Sequence, residues 1–87
     1  MYNVKMEEEK IYELVLFDSG VEVYAAVRPL QAYLGMSDSE LALANKIIAE
    51  AEDVGHALAA VDTKSKITNL AKQFQQNGVK YEIHAIT

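Results

Sequence analysis

Apolar positions along the chain fall into blocks whose period changes from two to about 3.6, and each block predicts an element. Ile11-Tyr12-Glu13-Leu14-Val15-Leu16-Phe17 is apolar on both alternating faces except at Glu13, which suits an interior strand. Asp18-Ser19-Gly20 makes the turn after it. Ser37-Asp38-Ser39-Glu40 has the spacing of a capping box, and Leu41, Leu43, Ala44, Ile47, Ile48 and Ala51 follow at helical spacing. That helix should run to about Asp53 and stop near Gly55. Ala57-Leu58-Ala59-Ala60-Val61 has room only for a brief strand between Gly55 and Asp62. Asp62 or Thr63 then caps a helix that buries Ile67, Leu70, Ala71 and Phe74 and ends at Asn77-Gly78. In the last block Val79, Tyr81, Ile83 and Ala85 alternate with Lys80, Glu82 and His84, the pattern of a half-exposed antiparallel strand.

Residues 21–29 admit two readings. As a strand, Val21, Val23, Ala25 and Val27 alternate with Glu22, Tyr24, Ala26 and Arg28, and Asp18-Ser19-Gly20 becomes a hairpin loop. As a helix, Val23, Ala26, Val27 and Leu30 form a stripe, but Pro29 sits inside it at a cost of about 3 kcal/mol unless the helix kinks or restarts. Local physics favours the strand. Residues 1–9 carry no period, end in three glutamates and read as a mobile lead-in to one domain over residues 10–87.

With 51% hydrophobic and 24% charged residues, the chain has the make-up of one globular domain. The absence of cysteine excludes disulfides and thiolate metal sites and fits a reducing, cytoplasmic setting. No apolar run approaches the roughly 20 residues of a membrane span, so no membrane partner is expected. The net charge of −5 is uneven, with −7 on residues 1–53 and +2 on residues 54–87. Four lysines in the second part make too thin a basic surface for nucleic acid. The acidic first part could steer a basic protein partner, although solvation alone accounts for it.

Candidate chemistry is sparse. His56 and His84 are the only histidines and lack the convergent partners of a metal site. Seven serines and threonines show no nucleophile motif, and Gly20, Gly35, Gly55 and Gly78 are too isolated to cradle a phosphate. Glu52-Asp53 at a helix end gain nothing from its dipole. Phe17, Phe74 and Tyr81 are expected in the core by their period, whereas Tyr24 and Tyr33 better suit a contact surface. No catalytic residue, cofactor or metal is expected.

Three stretches carry a family resemblance. Val21-x-Val23-x-x-Ala26-Val27-Arg28 after a glycine turn is similar to the first helix of the C-terminal domain of the bacterial ribosomal stalk protein. Leu34-Gly35-Met36 stands where that family has a Gly-Leu-Gly-Leu turn, and Ala71 to Ile83 resembles its third helix, turn and last strand. The Clp protease adaptor shares that fold. The resemblance implies an α+β domain of order β-α-α-β-α-β, a three-stranded antiparallel sheet with helices on one face. The alternative is an N-terminal hairpin followed by α-β-α-β. It also implies a non-enzymatic protein-interaction module, monomeric or weakly self-associating, whose partner is another protein or a peptide. The suspected contact residues are Tyr24, Arg28, Leu34 and Met36, with Asp18 and Ser19 for an adaptor-like capture of peptide N-termini. A structural, self-assembling role through a sheet edge is a further alternative. The sequence departs from both relatives. Ala25, Asp38, Ser39 and Glu40 stand where the stalk domain places the lysines that engage translation factors. The adaptor's histidine falls at Glu52 or Asp53, and one of its paired turn acids is missing.

Overall fold

Strand β1 (Ile11–Phe17) takes the centre of a three-stranded sheet of order β2-β1-β3, as its two apolar faces require. The computed structural model describes residues 10–18 and 20–86, with the backbone alone for 20–22; the expected lead-in over residues 1–9 and Ser19 lie outside them. Strands β2 (His56–Thr63) and β3 (Lys80–Ala85) both pair antiparallel with β1. Three α-helices complete the order β-α-α-β-α-β: α1 (Val27–Leu34), α2 (Asp38–Val54) and α3 (Lys64–Gln76).

The hairpin alternative is not what forms. Gly20–Ala26 winds as a 3-10 helix that runs directly into α1. Both edges of β1 are already taken by β2 and β3, so a strand over residues 21–27 has no edge of β1 to pair with as a hairpin. Coiling instead aligns Val23, Ala26 and Leu30 on one stripe, all fully buried. The change of helix type at Val27 also removes the proline penalty. Pro29 becomes the third residue of α1, inside the first turn, where backbone N–H groups have no helical partner.

Helix α2 begins at the expected capping box, with the Ser37 N–H donating to Glu40 Oε1 at 3.3 Å and the Ser37 hydroxyl to the same oxygen at 2.7 Å. It ends at Gly55, whose φ of 94° is the left-handed cap. Gly35, at φ 126°, closes α1, and a Cβ there would press on the Glu40 carboxylate that holds the box. Helix α3 crosses over β1 between the two edge strands and buries Ile67, Leu70, Ala71 and Phe74, the four residues its period marks.

Strand β2 is longer than the brief strand expected, and it is bulged. The register steps from Leu14 opposite Ala60 to Val15 opposite Leu58, which leaves Ala59 as the extra residue. Ala59 and Ala60 therefore both turn toward the helices and are buried. Every residue beyond them changes face relative to strict alternation. Val61 goes out beside Glu13, and Asp62 comes to the helix side beside Tyr12.

Three core expectations need correction. Phe17 shares the face of Val15, opposite the buried Leu14 and Leu16, and is half-buried outside the core with its ring 6.1 Å from that of His56. Leu43 lies at the margin of the α2 stripe and is exposed. Ile83 and Ala85 face the helix side of β3 beyond the reach of the helices, leaving Ile83 40% exposed. Phe74 and Tyr81 do meet at the core, edge to face with centroids 6.4 Å apart.

Candidate functional site

The residues singled out from sequence do not gather into one patch. The Asp18 N–H donates to the Gly55 carbonyl at 3.0 Å, which ties the end of β1 to the turn after α2. Tyr24, 56% exposed, lies at the same corner. Its phenol is held above the ordinary value by a hydrogen bond to Glu52, by that carboxylate's charge, by partial desolvation and by the charge of Asp18. Leu34 and Met36 sit at the other end of α2, a helix of 17 residues and so about 25 Å long. Met36 is 70% exposed, whereas Leu34 packs against the core. Arg28 is exposed on the first turn of α1.

Two surfaces that the sequence does not announce are better formed. The first is the face of the sheet turned away from the helices, which no helix covers among the described residues. Its centre is Ile11, Glu13, Val15 and Phe17 of β1, alternating with the core residues. On the β2 side, Leu58 stands beside Val15 and Val61 beside Glu13, and they are 48% and 46% exposed. The bulge puts both on this face although they are an odd number of positions apart. The β3 side is polar: His84 Nδ1 lies 3.1 Å from Glu13 Oε2, and its Nε2 lies 2.9 Å from Glu82 Oε1. With a carboxylate at each ring nitrogen, the imidazole is held above its ordinary pKa, mainly by the bond to Glu13 and then by that to Glu82. The face thus has an apolar lane and a hydrogen-bonded charged lane.

The second surface is a cleft of about 470 Å³ between α1 and α3, at the end where β2 runs into α3. Tyr33, Leu34, Asp62, Lys66, Asn69 and Gln73 line it, together with the buried Leu70. The Tyr33 hydroxyl donates to Asp62 Oδ2 at 2.6 Å, and Asp62 Oδ1 accepts the Thr63 N–H at 2.8 Å. Burial, followed by the Asp62 bond and charge, pushes the Tyr33 phenol up to about 12. Asp62 is correspondingly lowered, by Tyr33 first and by Lys66 least.

Period alone misses Leu58 and Val61, because strict alternation puts them on opposite faces. The amides Asn69 and Gln73 read only as the wet side of an amphipathic helix, although their spacing of four is visible in the sequence. Among the described residues, no three His, Asp or Glu side chains gather as metal ligands, and no helix is long and apolar enough to cross a membrane. The sequence matches no protein-family model, and no curated protein matches it at a significant level.

Proposed function

We propose that this chain is a small interaction module that performs no chemistry and docks another protein on the open face of its sheet. The observation that carries the reading is the pair Leu58 and Val61, half-exposed beside Val15 and Glu13 respectively. An apolar lane bordered by polar groups is the usual make-up of a contact surface. The occupant that fits is a partner's apolar ridge flanked by donors or basic groups, which would meet Glu13 and Glu82. The order β-α-α-β-α-β is also the one that the resemblance to the ribosomal stalk domain and the Clp adaptor implies.

Affinity capture with the chain and with its Leu58→Lys and Val61→Lys variants tests this. A protein retained by the parent and lost by both folded variants supports it. Retention that ignores both substitutions overturns it, as do NMR contacts joining Leu58 and Val61 to residues 1–9 of the same chain. A concentration-dependent dimer in sedimentation, abolished by the same variants, would make the partner a second copy.

A second reading, capture of peptide N-termini, is favoured by the way Asp18 and Glu52 both act on Tyr24. Carboxylates at one corner suit an α-amino group. Peptides with bulky N-terminal residues should then shift the amide signal of Asp18; no shift at millimolar peptide removes this reading.

A further inference from the structure

Beyond the sheet face, we infer that the chain pairs edge to edge with a second copy of itself, β3 against β3 in antiparallel, with Ile83 on the two-fold axis. The Ile86 N–H donates to the Ile11 carbonyl at 2.9 Å, which fixes the phase of the ladder between β1 and β3. Bonded pairs recur at every second residue, so Lys80, Glu82 and His84 spend their peptide groups on β1. Tyr81, Ile83 and Ala85 turn theirs to the outer edge, where no strand lies among the described residues. The other edge of the sheet, β2, is interrupted by the bulge at Ala59, whereas β3 runs without bulge or proline. No charge points inward on its helix side, where Tyr81, Ile83 and Ala85 follow one another and the last two are exposed. An apolar edge without such guards is a template for another strand.

Charge chooses the occupant and the register. On the open face β3 presents Lys80, Glu82 and His84 in turn, a row complementary to itself when reversed. With Ile83 on the axis, Ile83 meets its own copy and Tyr81 meets the copy's Ala85, so every outward peptide group is used. Glu82 then stands opposite the copy's His84 on both sides of the axis, in the closely spaced pairs. With Glu82 on the axis, two carboxylates would face each other. With Tyr81 there, Val79 would have to pair, and its N–H already donates to the Phe74 carbonyl at 2.9 Å. In the dimer His84 faces Glu13 on β1, Glu82 and Lys80 on its own strand and the copy's Glu82, while Val61 of β2, beyond Glu13, is uncharged. Carboxylates dominate that set, so the imidazolium is the form that associates more tightly.

Sedimentation of the full chain up to about 1 mM tests this, and a contact this small predicts a dissociation constant on the order of 100 µM. Association should tighten several-fold as the pH is lowered from about 8 to about 6. Ile83→Pro removes only an outward N–H and should weaken it by at least about tenfold. Should that variant not fold, Ile83→Lys serves, because it sets two like charges side by side on the axis. In a mixture of labelled and unlabelled chains, NMR contacts between Hα atoms should join Glu82 of one copy to His84 of the other. A monomer at about 1 mM, a dimer that survives both variants, or one indifferent to pH would overturn the inference. Contacts of residues 1–9 of the same chain with Ile83 and Ala85 would do so too. The sheet-face reading is tested apart, since Leu58 and Val61 lie on the far side of β1 from this edge and their lysine variants should leave the dimer intact.

Discussion

The hydroxyl of Tyr33 lies 2.6 Å from Asp62 Oδ2 and joins the end of α1 to the end of β2 across 29 residues of chain. The contact exists because the bulge at Ala59 rotates Asp62 onto the helix side of the sheet, where strict alternation would have left it facing out. It braces the corner at which β2 becomes α3 and forms one end of the cleft.

Replacing Tyr33 with Phe should therefore lower stability by about 1 kcal/mol, a charge-assisted bond discounted for its solvated setting. Urea denaturation checks this. The phenol's pKa rises on folding from 10.0 to about 12, so its contribution is complete below pH 10 and is lost as pH rises through about 12. Phenolate absorbance should show the tyrosine that ionises at about 12 in the parent and lose it in the variant, while the raised Tyr24 persists in both.

His84 gives a pH dependence at the opposite end of the range. Its folded pKa lies above the ordinary 6.5 because Glu13 on β1 and Glu82 on β3 each engage one ring nitrogen. Its contribution is thus complete below about pH 6.5 and disappears as pH rises through the raised value. An NMR titration of the imidazole should place its midpoint above 6.5 in the parent and lower in Glu13→Gln. A midpoint that does not respond to Glu13→Gln would contradict the contact.

The bulge makes neighbours on β2 respond in opposite ways. Ala60 is buried, so Ala60→Leu overpacks the core and should cost about 1–3 kcal/mol. Val61 is half-exposed, and Val61→Thr should stay within about 0.5 kcal/mol. Denaturation midpoints reversed in order would mean that the strand runs without the bulge.

Pro29 tests the restart of the helix. Relief of a proline in a helix interior should stabilise by about 3 kcal/mol. In the first turn of α1 there is no such strain to relieve, and Pro29→Ala should lower stability by about 0.5–1 kcal/mol through greater freedom of the unfolded chain. Urea denaturation distinguishes the two signs.

Much of the fold is legible in the residues themselves. The capping box at Ser37 and Glu40, the left-handed glycines at 55 and 78, and the Ile67, Leu70, Ala71, Phe74 stripe act through neighbours a few positions apart, so sequence alone determines α2, α3 and their ends. The central place of β1 follows from its two apolar faces.

Other features depend on partners distant in sequence. Residues 21–28 satisfy strand and helix spacing equally, and only the occupation of both β1 edges by β2 and β3 leaves coiling as the way to bury Val23, Ala26 and Leu30. The bulge at Ala59 arises from how β2 registers against β1, and alanines at 59 and 60 carry no mark of it. That single register step sends Val61 out beside Glu13 and Asp62 in toward Tyr33. Both candidate surfaces are products of tertiary pairing, because a strand's period says which residues share a face only while the period is unbroken.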